Sequence, residues 1–121
     1  NSGGALALGV ADRVLMLENA VYAILSPEGF ASILWRDASR HEEACEMMKL
    51  TAPDLLALGV VDDVVPEPEG GAHTVPEAVF RELDRALSRH LAALLKESGS
   101  ALAEKRYQKF RKMGVPPKEE P

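Results

Sequence analysis

The apolar positions of this chain form short runs near its start and helical periods after residue 26. Residues 5–10 are almost all small or apolar, which predicts a short helix buried on most sides. The runs at 14–17 and 21–25 do not alternate with polar residues, so they predict two strands covered on both faces. Glu18 and Asn19 between the runs predict a turn, and 60–65 predicts a further short strand.

Residues that commonly begin helices precede each segment in which apolar residues recur at helical spacing. The Ser-Pro-Glu-Gly sequence at 26–29 supplies an N-cap, a proline for the first helical position and an acid for the first turn. The Ser-Arg-His-Glu sequence at 39–42 has capping-box spacing and predicts a second helix with inward residues Ala44, Cys45 and Met48. The Thr-Ala-Pro-Asp sequence at 51–54 repeats the signal, and Gly59 is a natural stop for that helix.

Two amphipathic helices follow a loop at 66–71. The sequence at 74–77 predicts the cap of the longest helix, whose stripe is expected in the core or in a subunit interface: Phe80, Leu83, Leu87, Leu91 and Leu94. The last helix, at 101–112, has a basic face made of Lys105, Arg106, Lys109, Arg111 and Lys112. A solvated surface is the default interpretation of that face, and a contact with an acidic partner or with phosphates is the alternative. Residues 118–121 are expected to be a loose tail.

The composition is that of one globular domain and argues against several classes of protein. Of the 121 residues, 46% are apolar and 27% are charged, so disorder throughout is not expected. The formal net charge of −5 argues against a nucleic-acid binder. Cys45 is the only cysteine, which fits a reducing, cytoplasmic setting, and neither a membrane span nor a signal peptide is expected. The thin predicted sheet and the missing initiator Met predict the later part of a longer protein.

The first candidate for chemistry is the glycine doublet Gly3-Gly4, which we expect just ahead of the first helix. The first N–H groups of a helix have no partner within it and carry partial positive charge. Without Cβ atoms, such a start can aim two amides at an anion or a developing oxyanion. On the residues alone, a tight turn that lets this helix of small residues pack closely on its neighbours is the favoured interpretation of the doublet.

Other polar residues give weaker signals. His41, His73 and His90 form no pair at i, i+4, and Cys45 is remote from them in sequence, so no metal site is expected. The Gly70-Gly71 doublet lacks the Lys-Ser/Thr that a phosphate-binding loop needs.

Eight segments in order resemble the family of bacterial acetyl-coenzyme A carboxylase carboxyltransferase α subunits, in their C-terminal portion. They include SGGALA at 2–7, DRVLMLE at 12–18, SPEG at 26–29 and KLTAPDL at 49–55. The others are ILW at 33–35, PEP at 66–68, GGAH at 70–73 and RYQKFR at 106–111. No single segment is specific, but eight in this order and at these separations are.

The resemblance implies a fold, a reaction and partners. The fold would be α/β, the helix-rich C-terminal part of a crotonase-like (ClpP/crotonase) fold, with the core at 1–70 and a helical extension at 71–121. The reaction would transfer a carboxyl group from carboxybiotin, held on a separate carrier protein, to acetyl-CoA, giving malonyl-CoA for fatty acid synthesis. The partners would be a zinc-ribbon β subunit, in an α2β2 assembly, and the biotin carboxyl carrier protein, with no metal on this chain.

The resemblance places the biotin-side oxyanion on this subunit, where the amides of Gly3 and Gly4 would hold the ureido oxygen. Ser2 and Glu28 are further candidates for substrate binding. Glu28 could line a pocket near the turn together with Ser26, although helix capping is the favoured explanation of both. Two alternatives remain. One is a crotonase-like acyl-CoA hydratase or isomerase, with Glu18 or Glu28 as the acid/base. The other is a non-catalytic helical interaction fragment.

Overall fold

The computed structural model describes residues 2–115, with the backbone alone at Ser2, so the predicted tail at 118–121 lies outside the described residues. Six α-helices, one 3₁₀ helix and two strands make up the described part. In chain order they are α1 Ser2–Gly9, β1 Leu15–Leu17, α2 Pro27–Trp35, the 3₁₀ helix Ala38–Arg40, α3 His41–Met48, α4 Ala52–Ala57, β2 Asp63–Val65, α5 Pro76–Leu94 and α6 Gly99–Lys112. No described helix is both long and apolar enough to cross a bilayer.

The sheet is a parallel pair, in which Leu15 lies opposite Asp63 and Leu17 lies opposite Val65. Parallel strands need a crossover connection, and α2, α3 and α4 lie within it. The predicted strand at 21–25 is wrong: only Val21 forms an isolated antiparallel bridge, with Thr51. The predicted turn at 18–19 is confirmed, since the Ala20 amide donates to the Leu17 carbonyl at 3.1 Å.

The core lies where α4 meets the two strands. Its buried members come from the two strand segments and α4: Val14, Met16, Ala52, Leu55 and Val61. Tyr22 and Val60 pack against this cluster. The arrangement of helices on a parallel pair confirms the helix-rich α/β class.

Helix starts follow the sequence signals at α2 but not at α3. The Ser26 hydroxyl accepts the Gly29 amide at 3.1 Å, and Pro27 is the first residue of α2, as predicted. The capping box at 39–42 is wrong, because the Ser39 amide and hydroxyl both donate to Asp37 and close a 3₁₀ turn before α3 begins at His41. Cys45 is exposed rather than inward.

Helix α5 packs through a different face from the predicted stripe. Its buried residues are Val79 and Ala86, whereas Phe80 is 64% exposed and Leu91 is 57% exposed. The core interpretation of the stripe is therefore wrong for Phe80, Leu87 and Leu91. Small side chains let the helix backbone approach the sheet closely, and the bulkier leucines are turned away.

Helix α6 is held by the basic face that was expected to be solvated. Lys109 Nζ lies 2.6 Å from Asp62 Oδ2, with both side chains at least four-fifths buried, and Arg106 Nη1 lies 3.0 Å from Asp12 Oδ1. The solvated interpretation is wrong for these two cations. Asp12 and Asp62 precede the two strands, and the long basic side chains cover the distance to them.

Candidate functional site

The glycine doublet lies inside the first turn of α1 rather than ahead of it. Because α1 runs Ser2–Gly9, Gly3 and Gly4 are its second and third helical residues, and the expected turn before the helix is wrong. Neither glycine has a positive φ, so both take ordinary helical conformation. Their amides belong to the first turn, which receives no carbonyl from within the helix.

The space beside these amides is open. Gly3 and Gly4 are exposed, and no neighbouring atom lies within 4 Å of the position that a Cβ would occupy on either residue. The partial positive charge of the helix start therefore meets solvent rather than packed core. The side of the turn on which Cβ atoms would lie is therefore unobstructed.

The body of α1 is attached to the fold on one side only. Ala5 is 3% exposed, while Leu6 and Leu8 are 68% and 69% exposed. The expectation that this apolar helix is buried on most sides is therefore wrong. An apolar groove between α1 and α6 continues the exposed surface, lined in part by Leu6, Val10 and Phe110.

One hydrogen bond joins α1 to a later segment: the Tyr22 hydroxyl donates to the Ala5 carbonyl. Gly9, the last residue of α1, lies directly against that hydroxyl, since a Cβ at Gly9 would be 2.7 Å from Tyr22 Oη. The glycine is thus needed for close approach, and the tyrosine fills the space that it leaves.

Ser2 begins α1, and its side chain lies outside the description, so its substrate-binding role stays a prediction. Glu28 is exposed in the first turn of α2, and its pKa is lowered by a hydrogen bond from its own backbone amide and then by the Ser26 hydroxyl. A carboxylate held ionised in this way suits helix capping better than proton transfer.

Glu18 serves a similar structural purpose. Its Oε2 accepts the Glu67 amide at 3.0 Å, and Glu67 in turn accepts the amides of Asn19 at 2.6 Å and Ala72 at 2.8 Å. The two glutamates close the turn after β1 onto the loop after β2. Neither Glu18 nor Glu28 therefore stands as an unengaged acid/base in a pocket.

A histidine–carboxylate pair was missed by the sequence interpretation. His90 Nε2 on α5 lies 2.8 Å from Asp63 Oδ2 on β2, and Arg89 also contacts this carboxylate. The hydrogen bond from His90 is the largest cause that lowers the pKa of Asp63, and Arg89 adds to it against the effect of burial. The helical spacing of Val79, Ala86 and His90 was the signal that could have found the pair.

His41 and His73 are exposed. Within residues 2–115, no group of three His, Cys, Asp or Glu side chains is placed to hold a metal ion.

Comparison with known proteins identifies the family. Residues 1–114 match the family described as acetyl co-enzyme A carboxylase carboxyltransferase-like. The chain belongs to this family. The match covers the first turn of α1, the two strands and all of α6.

Curated relatives agree with that assignment. The chain is 57% identical over 113 residues to the acetyl-coenzyme A carboxylase carboxyl transferase subunit alpha of Methylobacterium nodulans, which covers 93% of the chain and 36% of the relative. The subunit alpha of Geobacillus thermodenitrificans is 53% identical over 113 residues, covering 93% and 35%. That of Thermosynechococcus vestitus is 54% identical over 114 residues, covering 94% and 35%. The chain thus spans about a third of the length of these relatives.

Proposed function

We propose that this chain is the C-terminal part of a carboxyltransferase α subunit of acetyl-CoA carboxylase and carries one of the two oxyanion sites of the reaction. The observation that carries the proposal is the family match over residues 1–114, which begins at the open first turn of α1. The reaction moves a carboxyl group from carboxybiotin to acetyl-CoA and gives malonyl-CoA. The main alternative, a hydratase or isomerase, is disfavoured because Glu18 and Glu28 are engaged in the fold.

The role of Gly3 and Gly4 follows from the charge that the reaction moves. Carboxybiotin, carried on a separate protein, supplies the carboxyl group, and its departure leaves negative charge on the ureido oxygen. The two amides provide donors aimed in advance at that oxygen, and the peptide dipoles of α1 add favourable potential. The open space beside both glycines fits a bulky ring system, since nothing lies within 4 Å of their Cβ positions.

The same proposal extends to partners and assembly. The family relationship supports a β subunit that supplies the oxyanion site for acetyl-CoA, a biotin carboxyl carrier protein, an α2β2 arrangement and a cytoplasmic location. It also supports a crotonase-like core at 1–70, extended by helices at 71–121. The exposed apolar side chains of α1 and α5 fit a surface that the rest of such an assembly covers.

The test uses a chimeric subunit in which this chain replaces the matching third of the Methylobacterium nodulans α subunit. Assembled with a β subunit, it is assayed for biotin-dependent decarboxylation of malonyl-CoA. We expect Gly4→Val to lower kcat by about 10²-fold, the size of effect seen when one oxyanion donor no longer reaches its oxygen, and to leave assembly intact. The valine keeps its amide, but its side chain occupies the open space beside the doublet and holds the ureido oxygen away from the donors.

Gly99→Val is the matched control, because Gly99 also lies in the first turn of a helix with nothing within 4 Å of its Cβ position. Both changes carry the same cost in helix propensity, so only a site-specific effect separates them. Wild-type turnover in the Gly4→Val chimera would contradict the oxyanion role. An assembled wild-type chimera without transfer activity would instead favour the interaction fragment.

A further inference from the structure

The position of α1 depends on a small number of contacts. The helix has 8 residues and two exposed leucines, and only Ala5 is buried in it among the described side chains. Short helices of this kind are marginal in water, so tertiary contacts must hold them in place. Among the described residues, the Tyr22 hydroxyl makes the one hydrogen bond that joins α1 to a later segment of the chain.

The partner of that hydrogen bond lies in the turn that follows the glycine doublet. The Ala5 carbonyl, which accepts from Tyr22, is adjacent to Gly4 in sequence. Fixing this carbonyl fixes the direction of the helix axis at its start. It thereby also fixes the direction in which the Gly3 and Gly4 amides point, because consecutive peptide units of a helix are rigidly related.

Tyr22 is itself well anchored. Its ring packs against the buried cluster of Val14, Met16, Ala52, Leu55 and Val61, and its amide donates to the Leu50 carbonyl at 3.1 Å. Gly9 completes the contact from the other side, since a Cβ there would approach the tyrosine oxygen to 2.7 Å. The core, Tyr22 and α1 thus form one continuous connection.

We infer that Tyr22 is a positioning residue for the oxyanion site, acting through its hydrogen bond to Ala5, with Gly9 as the residue that makes room for it. This inference rests on the proposed function, because the site it positions is the one formed by Gly3 and Gly4. Tyr22 touches no reacting atom. Its effect on turnover comes from keeping two amides in register with an oxygen, and misplacement of a catalytic group by about 1 Å can cost ~10²-fold in rate.

The first experiment is a double-mutant cycle in the chimeric subunit. We expect Tyr22→Phe, which removes only the hydroxyl, to lower kcat by about 10-fold or more without changing KM for malonyl-CoA. We expect Gly9→Ala to lower kcat similarly, because its methyl group displaces the hydroxyl. In the Tyr22→Phe background, Gly9→Ala should cost little more, since the displaced atom is already gone.

Tyr107→Phe is the matched control, since Tyr107 is 57% exposed and no described hydrogen bond involves its hydroxyl. Unchanged kcat in Tyr22→Phe would overturn the inference. So would a kcat loss that comes with a lower melting temperature and a raised KM, which indicates general destabilisation. Additive losses from Tyr22→Phe and Gly9→Ala would also overturn it, because the two residues would then act separately.

A second experiment decides the structural part of the inference without transfer activity. Amide hydrogen exchange is measured in the assembled chimeric subunit, with and without Tyr22→Phe. We expect exchange of the amides at residues 6–9 to accelerate by about 5-fold to 10-fold, the equivalent of one hydrogen bond, while amides of α5 keep their rates. Unchanged exchange at 6–9 overturns the inference. An inactive wild-type chimera, by contrast, counts against the proposed function alone.

Discussion

Helices α5 and α6 are the two longest of the described chain, and different forces hold them in place. Helix α5 buries Val79 and Ala86 and adds a hydrogen bond from His90 to Asp63 on β2. Helix α6 has no buried residue, and its connections to the strand segments run through Arg106 and Lys109. The comparison shows that one chain can attach a helix by close apolar packing or by long charged side chains.

The two modes differ in their dependence on distance and on conditions. Dispersion and burial require close fit and are lost when shape changes, but they respond little to salt. Ion pairs can cover a gap with flexible stems, yet they weaken as dissolved ions screen them, and those near the surface weaken most. We therefore expect α5 to be sensitive to side-chain volume and α6 to be sensitive to ionic strength.

The largest expected effect is on α5. Ala86→Leu inserts three carbon atoms where the side chain is 6% exposed, and we expect it to lower the free energy of unfolding by about 1–3 kcal/mol through overpacking. Urea denaturation measures this change. Ala92→Leu, on the exposed side of the same helix, should be nearly neutral, and equal losses in both variants would remove the packing side of the comparison.

The next effect is on α6. Lys109→Met removes the lysine partner of Asp62, whose carboxylate also accepts the Val14 amide, and we expect a loss of about 1–2 kcal/mol because a charged hydrogen bond in a mostly buried position disappears. The loss should shrink only modestly as sodium chloride is raised, since salt screens a mostly buried ion pair less than an exposed one. Lys112→Met, at an exposed position of the same helix, serves as control. Equal losses in Lys109→Met and Lys112→Met would show that this ion pair does not hold α6.

The smallest expected effect is on the pH dependence of the free energy of unfolding, through the contact between α5 and Asp63. The folded pKa of Asp63 lies below its ordinary value because His90 and Arg89 donate to the carboxylate. Its contribution to stability is therefore fully present above the unfolded pKa of about 4 and is lost as pH falls through the lower folded pKa. We expect Asp63→Asn to flatten the decline of unfolding free energy below about pH 4. Asp84→Asn, on the exposed side of α5, is the matched control, and an identical decline in both would contradict the assignment.

Local signals were accurate at the start of α2. The N-cap at Ser26 and the proline after it placed the start of α2, because the capping hydroxyl and its amide are three residues apart. The same reasoning failed at 39–42, where Asp37, two positions before the motif that was considered, accepts both groups of Ser39. A sequence motif alone does not reveal which of several nearby groups a capping side chain will bond.

The features of the candidate site also divide into those set by neighbouring residues, which were predictable, and those set by distant residues, which were not. That the glycine doublet lies near a helix start was predictable, because this depends on residues next to each other, although the doublet lies inside the first turn of α1 rather than ahead of it. The attachment of α1 to the rest of the fold was not predictable, since Tyr22 lies 17 positions from Ala5 and no neighbouring residue in the sequence indicates their contact. The helical spacing of Val79, Ala86 and His90 was a weak indication that His90 faces the sheet and can meet Asp63. The larger stripe of Phe80 and leucines was a stronger indication of a different packed face, but Phe80, Leu87 and Leu91 are exposed.

By itself, the sequence determined the family, most of the helical segments and the nearness of a glycine doublet to a helix start, because short-range sterics and motif order specify them. The exposure of the start of α1 came from the structure. The tertiary structure decided which face of α5 packs, which acids receive Arg106 and Lys109, and how α1 is held. Those contacts join residues up to 94 positions apart, as in Arg106 and Asp12. Burial and charge pairing act through space, and no window along the chain contains both partners.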